Sequence, residues 1–568
     1  MTEGALRERV ASAYVRIREN EPSTIWIHLR PEKDVIAEAE AVQAAIDAGE
    51  ELPLAGVTVA VKDNIDVAGL PTTAAHPASA RIADVDAEVV ARLRQAGALI
   101  IGKTNLDQFA TGLVGTRSPY GAVASATDPT RVAGGSSSGS AAAVAHGLVD
   151  IALGTDTAGS GRVPAAFNRI IGLKPTLGLV PSTGVMPACP SYDTVSIFAT
   201  SITQGALILR TVGGPAADDP GSRGWTPDAP LAAVEQPVIA VPAEPNLDSL
   251  SPGMRDAFDD AVTRLRECGA IITTLDISPL LAAAELLYGG ALVAERAWSF
   301  GHILQTKPEG SNPSVAAIAE AAMRVPGHQV IADQQRLRSL TAESKTLLMG
   351  VDALVLPTAP LHPTMEQVNQ DPLGVNSLVG TFTNFVNLMD MAAIAVPSAT
   401  VPHEGELGIT VVTPAFHDQV AADIASRFLG DGSHAPLLGQ DGVDVAVFGV
   451  HMRSEPLNPE LQRLGARYLR DIVTAPEYRM ELVSGPIERP AVVRSAHGAE
   501  IPGELWRLPP AALGTLLLSI REPLGLGRIH LNDGHHVIGF IASTAAGHTD
   551  ITTAKGWRGY RYGAVPVL

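Results

Sequence analysis

Between Gly134 and Ser160 the chain reads GGSSSGSAAAVAHGLVDIALGTDTAGS, and no other stretch restricts its fold so tightly. The alanine-rich run Ala141 to His146 predicts a helix, and the glycine- and serine-rich segment Gly134 to Ser140 predicts the turn that opens it. A helix opened in this way presents unpaired N–H groups and the positive end of its dipole close to Ser136. The second glycine-bearing turn, Thr157 to Gly161, lets successive N–H groups converge on one point around Ser160. Such a nest suits the negative charge that develops on a carbonyl oxygen under nucleophilic attack. Acyl chemistry with a serine nucleophile is therefore the leading expectation.

A serine hydroxyl is a poor nucleophile at neutral pH and needs a base within hydrogen-bond reach. The nearest histidine, His146, sits inside the apolar run and reads as a packing residue. Lys62 is the better candidate, because it follows an alternating apolar segment, Val57 to Val61, that predicts a buried strand. A lysine forced into apolar surroundings loses its charge readily and can then accept a proton. The sequence leaves one alternative open, a lysine at a strand end with its ammonium in solvent. A phosphate-binding loop fits poorly, since no Lys-Ser or Lys-Thr closes the Gly134 to Ser140 segment and no GxGxxG follows a strand.

With Lys62 in VAVKDN, then GGSSSGSAAAVA, GTDTAGSGRVPAAFNRIIGLKPTLGLVPSTGV and SYDTVSIFA in that order, the chain resembles the amidase signature family. The resemblance implies a Ser-Ser-Lys triad in which Ser160 is the nucleophile, Ser136 is the bridging serine on a cis peptide, and Lys62 is the base. Ser137 and Ser138 would support them. It also implies an oxyanion hole from the backbone of Thr157, Ala158, Gly159 and Ser160. It calls for no cofactor and no metal.

Elsewhere, strand-like runs such as Ala98 to Ile101 and Gln236 to Val241 alternate with helical patterns such as Ala87 to Gln95 and Ser251 to Cys268, which predicts an α/β layout. The family resemblance makes this a mixed sheet core covered by helices. At 568 residues two domains are the default. The loss of periodicity around Gly430 to Asp444 sets expected domains of 1–435, with an N-terminal helical segment, and 442–568. Short alternating stretches at Val443 to Val450 and Glu504 to Leu508, with turns at Gly525, Gly527 and Gly534, predict a small α+β domain at the end. The formal charge of −19 argues against nucleic acid or an anionic membrane as partner. Two cysteines, Cys189 and Cys268, rule out a disulfide framework and fit a reducing compartment. The charged N-terminal helical pattern is not a secretory signal and no stretch has the length of a membrane span, so a cytoplasmic protein is expected.

In LLYGGALVAERAW, Tyr288 and Arg296 would project within about 80° of each other if they shared one helix, and an arginine prefers a carboxylate. Glu285 and Glu295 are alternative partners for Arg296. Together with VLPTAP at 355–360 and VFGVHMRSEPLN from 447, this segment resembles the allophanate hydrolases, a family within the amidases. That resemblance implies that Tyr288 and Arg296 hold the carboxylate of allophanate, and that amide hydrolysis releases ammonia and N-carboxyurea. The C-terminal domain, similar in fold to γ-glutamyl cyclotransferases, would then promote decarboxylation with His451 as acid/base, giving ammonia and carbon dioxide overall. A structural histidine at position 451 is the alternative. The resemblance further implies a homodimer and a functional link to urea carboxylase or, in s-triazine degradation, to biuret-forming enzymes. The second reading is another amidase-signature amidase or the glutamine-hydrolysing subunit of a tRNA-dependent amidotransferase. A binding protein with an inactive amidase domain is disfavoured by intact Lys62, Ser136 and Ser160. The C-terminal motif departs from the family at Arg453-Ser454-Glu455, where many members carry a small residue and glycine. His535 and His536, adjacent on a strand, would face opposite sides and form no metal site.

Overall fold

The strand Thr58–Lys62 is buried at every residue, because it lies between two parallel neighbours, Leu99–Thr104 and Ile151–Asp156, inside a large sheet. A strand covered on both faces carries apolar residues throughout, and a lysine at its end has no water to reach. The computed structural model describes residues 4–20, 24–432, 436–437, 442–542 and 549–563. It divides into two compact units, Met1–Gly224 with Gln236–Leu437, and Trp225–Glu235 with Leu438–Leu568. The expected boundary between 435 and 442 falls largely on residues outside the described set.

In the first unit eleven strands form one mixed sheet, in the order Trp26–Leu29, Leu99–Thr104, Thr58–Lys62, Ile151–Asp156, Thr194–Ala199, Ile171–Lys174, Met391–Val401, Gly405–Pro414, Ala353–Pro357, Val238–Pro242 and Ile271–Leu275. Helices cover it, including the expected Glu88–Gln95 and Pro252–Glu267. The alanine-rich helix spans Ser138–Ala145, so it takes in the last serines of the preceding turn and stops before His146. Its residues from Ser138 to Val144 are buried, which small side chains permit at close range to a sheet. His146 lies exposed just past the helix, at the opposite end from Ser136.

The segment carrying Tyr288 and Arg296 is not one helix. The helix Ser278–Glu285 ends first, and a 3-10 turn Ala291–Val293, a short α turn Ala294–Arg296 and a π turn Ala297–Gly301 follow the Gly289-Gly290 pair. Two adjacent glycines are poor helix formers, and Asp333 accepts the Ala291 N–H at 2.6 Å where the chain resumes turning.

The second unit has a five-stranded sheet, ordered Arg467–Val473, Pro502–Leu508, Val443–Val447, His536–Ala542 and Leu524–His530, and a three-stranded sheet of Arg489–Arg494, Tyr478–Val483 and Thr549–Asp550. Trp225–Glu235 joins this unit through Leu231 N–H to the Gly465 carbonyl at 2.8 Å, Arg467 Nε to the Leu231 carbonyl at 2.6 Å and Ala511 N–H to the Pro227 carbonyl at 2.9 Å. Gly525 and Gly527 lie inside the strand Leu524–His530 and are not turns. A Cβ on Gly527 would stand 2.2 Å from the tip of Ile541 on the paired strand, so that glycine marks close packing. The turn is at Gly534, with φ of 85°. The strand begun at Val443 ends at Val447, and the following loop carries His451. Among the described residues no helix is long and apolar enough to cross a membrane.

Candidate active site

Parallel pairing of Thr58–Lys62 with Ile151–Asp156 brings their C-terminal ends to the same edge of the sheet, where Lys62 and the turn bearing Ser160 emerge. Ligands of open α/β sheets bind at such edges. Lys62 is fully buried, and its Nζ lies 2.8 Å from Ser136 Oγ and 2.7 Å from Thr155 Oγ1. The Gly135–Ser136 peptide is cis, and Ser136 immediately precedes Ser137, the cap of the helix Ser138–Ala145. Ser137 Oγ donates to the Thr155 carbonyl at 3.1 Å, tying the serine turn to the strand that Lys62 also touches. Burial pushes the Lys62 ammonium down to about 7, against the opposing pull of Asp193, Asp107 and Asp156. A lysine in that range spends much of its time neutral and able to take a proton from Ser136.

The base must be unprotonated, so turnover should rise with pH through about 7 and level off above it. Below that value the rate at limiting substrate should fall about tenfold per pH unit. A profile of initial ammonia-release rates against pH checks this, and a midpoint near the ordinary lysine value would mean Lys62 is not the base.

The turn around Ser160 is held by a buried clamp that the sequence motifs do not announce. Asp156 accepts the N–H of Gly159 and of Gly161, each at 2.9 Å, and pairs with Arg162 at 2.9 Å with both side chains wholly buried. Burial works against the Asp156 charge, but the Arg162 guanidinium holds the carboxyl below the usual carboxylate range. Arg162 reaches on to Asn387 Oδ1 at 2.9 Å and the Thr383 carbonyl at 3.1 Å. Gly159 has φ of 126° and a Cβ there would stand 2.4 Å from Thr383 Oγ1, so no other residue fits. Of the four backbone groups expected to hold an oxyanion, that of Gly159 is already given to Asp156 and leaves the set. The N–H groups of Thr157, Ala158 and Ser160 carry no hydrogen bond among the described residues. Asp193, from the SYDTVSIFA motif, is half-buried and accepts from Thr157 Oγ1 and from the N–H of Ala188 at 2.7 Å. Burial pushes its carboxyl up to about 6.

Arg296 is completely buried, with its guanidinium carbon 4.1 Å from the centre of the Tyr288 ring. The pair meets across the interrupted segment even though no continuous helix joins them. Arg296 pairs with neither glutamate named as an alternative: Glu295 instead accepts the Ser191 N–H at 3.0 Å. Its guanidinium donates to the Leu287 carbonyl at 3.4 Å and interacts with Tyr288 and Cys189, and among the described residues Nε and one terminal nitrogen are buried without a hydrogen-bond partner. Leaving a buried guanidinium so poorly satisfied is costly unless an anion completes it.

In the second unit His451 is buried, stacks on Phe540 with ring centroids 4.9 Å apart, and places Nε2 3.4 Å from Glu460 Oε2. Burial lowers its proton affinity and Glu460 opposes that. The departure at Arg453-Ser454-Glu455 is absorbed by local partners. Ser454 adopts the left-handed conformation usual for glycine, with φ of 66°. Arg453 pairs with buried Glu504 at 3.2 Å, and buried Glu455 accepts Trp557 Nε1 at 3.2 Å from the helix Gly556–Tyr562. His535 pairs with Asp533 at 3.1 Å, while His536 stacks on His530 with centroids 4.0 Å apart. Among the described residues no cluster of three or more metal-binding side chains occurs.

Comparison with known proteins adds to this geometry. Residues 8–421 match the Amidase family and residues 443–562 match the allophanate hydrolase C-terminal domain. The urea amidolyase of Saccharomyces cerevisiae is 39% identical over 94% of this chain and 31% of its own length, so the chain spans about a third of that relative. A glutamyl-tRNA(Gln) amidotransferase subunit of Symbiobacterium thermophilum is 34% identical over 77% of this chain and 96% of that protein. A solved structure of Kluyveromyces lactis allophanate hydrolase superposes with a TM-score of 0.89 at 37% identity, covering 99% of this chain and 97% of the other.

Proposed function

The chain belongs to the amidase family, and from that premise we propose that it hydrolyses allophanate, with Ser160 as nucleophile, Ser136 as bridge and Lys62 as base. The observation that carries this reading is Arg296, buried, facing Tyr288 and holding unsatisfied nitrogens that a substrate carboxylate would complete. Charge-assisted bonds from a planar guanidinium discriminate strongly between a carboxylate and a neutral group.

Neutral Lys62 takes the proton of Ser136 as Ser136 takes that of Ser160, and Ser160 Oγ attacks the carboxamide carbon. Free N–H groups of Thr157, Ala158 and Ser160 hold the oxyanion. The C–N bond breaks, ammonia leaves with the returning proton, and water cleaves the acyl ester. Atom balance corrects the expected product. Allophanate is itself N-carboxyurea, so hydrolysis of its carboxamide leaves N-carboxycarbamate, a dianion with two carboxylates on one nitrogen. In the second unit His451 would give a proton to that nitrogen, the C–N bond would break toward nitrogen, and carbon dioxide would leave. The remaining carbamate falls apart to ammonia and carbon dioxide. The expected link to urea carboxylase, the homodimer and the cytoplasmic setting belong to the same proposal.

Ammonia release from allophanate, biuret, malonamate and glutamine tests it. Allophanate should be strongly preferred, and Arg296→Ala should lower its kcat/KM by about 30-fold to about 1,000-fold, the cost of breaking a buried charged contact. Equal use of glutamine by the unaltered protein would return the chain to the second reading, an amidase with another amide substrate.

A further inference from the structure

Three carboxylates act on the buried Lys62: Asp107 in the turn after Leu99–Thr104, Asp156 at the end of Ile151–Asp156, and Asp193 just before Thr194–Ala199. Two of them are matched by cations. Asp156 pairs with Arg162, and Lys174 adds its charge to the same carboxyl. Asp107 accepts the N–H of Gly115 at 2.9 Å and of Arg117 at 2.8 Å, and it is balanced by the Arg117 guanidinium. Asp193 forms no ion pair with a described residue, although it feels the charge of Arg296. Its other neighbours do not cancel it: burial pushes the Cys189 thiol up to about 12, so it is neutral, and Glu295 is turned to the Ser191 N–H. Antiparallel pairing sets Thr194 opposite Asp156, so one residue beyond that pair Asp193 meets Thr157, the first residue of the oxyanion turn. Its carboxylate accepts the Thr157 hydroxyl and the N–H groups of Ala188 at 2.7 Å and Cys189 at 3.1 Å. These bonds fix an unneutralised negative charge beside the triad.

We propose that Asp193 is a positioning residue of the reaction, which holds Thr157 at the start of the oxyanion turn and whose charge sets the pH at which Lys62 becomes a base. The assignment rests on the proposed triad of Ser160, Ser136 and Lys62, and not on which amide is the substrate. A carboxylate near a buried ammonium favours the protonated lysine. Burial drives Lys62 far below its ordinary value, and Asp193 is the foremost of the charges that oppose this. Without Asp193 the lysine would be neutral at lower pH, but it would also be a weaker acceptor for the Ser136 proton. The carboxylate therefore keeps the base strong enough to act at neutral pH, while its bond to the Thr157 hydroxyl ties the same group to the place where the oxyanion forms.

The rate at which a fluorophosphonate labels Ser160 in the full chain, followed against pH, tests this without the natural substrate. Ser160 Oγ bonds to phosphorus, the P–F bond breaks, fluoride leaves, and the serine proton passes through Ser136 to Lys62. Loss of the label in Ser160→Ala assigns it to that residue. In the unaltered chain the rate should rise with pH through a midpoint of about 7. In Asp193→Asn the midpoint should fall by about one pH unit and the plateau rate by about tenfold. Asparagine can keep the local bonds, with its oxygen toward Ala188 and Cys189 and its amide donating to Thr157 Oγ1. Asp193→Ser removes the charge in a second way and should move the midpoint in the same direction. A midpoint does not depend on the fraction of chain that is folded, so loss of fold and loss of charge are read separately. Slower labelling with an unmoved midpoint in both variants would mean a structural role alone and overturns the assignment, as does a midpoint that rises. If Ser160 of the unaltered chain takes no label, the triad and this assignment fall together. If the label and the shift are seen but no ammonia is released from allophanate, the proposed substrate fails and the role of Asp193 stands.

Discussion

Replacing Ser160 by alanine is expected to cut ammonia release from allophanate by a factor on the order of 10⁴ to 10⁶, with the thermal transition of the chain unchanged. The side chain removed is small and only 2% exposed, and it carries no hydrogen bond to another described group, so the fold loses almost nothing. What disappears is the atom proposed to bond to the carbonyl carbon. Lys62→Ala should cost nearly as much, because Lys62 Nζ is hydrogen-bonded to Ser136 Oγ and is the proposed acceptor of its proton. The double variant should be little worse than either single one, since residues that act as a unit are strongly non-additive. Initial rates together with a circular-dichroism melt decide the matter. Activity within tenfold of the unaltered protein in Ser160→Ala would exclude it as nucleophile.

The largest loss of stability is expected from breaking the Asp156–Arg162 pair. Arg162→Met leaves a wholly buried carboxylate without its guanidinium, a change that costs about 3–5 kcal/mol. Asp156 would keep the N–H groups of Gly159 and Gly161 but lose the charge that balances it. Because the folded carboxyl is held below its ordinary value, the stabilisation from this pair is present above the unfolded aspartate value near 4 and is lost as pH falls toward the folded one. Denaturant midpoints of the variant and the parent at pH 7 and well below the unfolded value, at about pH 3 or lower, measure both effects. The variants should approach each other at the lower pH, and equal midpoints at pH 7 would show that the pair contributes nothing.

The serines and Lys62 are readable because turn, helix and strand signals sit next to one another in the chain, and local glycines announce where the backbone must bend. The clamp behind them is half readable. Asp156 and Arg162 both stand in GTDTAGSGR, but their partners Thr383 and Asn387 lie more than 200 residues away, and nothing local ties them together. The same distance hides the bond from the Thr383 hydroxyl to the Ala158 carbonyl. Tyr288 and Arg296 do meet, but on a different support from the one their spacing suggests, since eight residues imply a helix that Gly289-Gly290 interrupts. Gly525 and Gly527 mislead in the opposite direction, because a glycine that admits a neighbouring isoleucine looks in sequence like one that makes a turn. The oxyanion donors show a further limit. A nest of N–H groups can be inferred from composition, but which of them an internal carboxylate consumes is settled only by the folded positions.

The short detour of Trp225–Glu235 makes the order of synthesis matter. Leu231 emerges from the ribosome well before Gly465 and Arg467, the residues whose backbone and side chain it binds, and Pro227 well before Ala511. Until more than 200 further residues have been made, this segment is without the partners it binds at Gly465, Arg467 and Ala511. The second unit is therefore not a module that can be cut off at a single point. A chain ended after residue 437 keeps a stretch that belongs elsewhere, and one begun at 438 lacks a piece of itself. Any rearrangement of genes that shuffles these units must carry the early segment along with the late one.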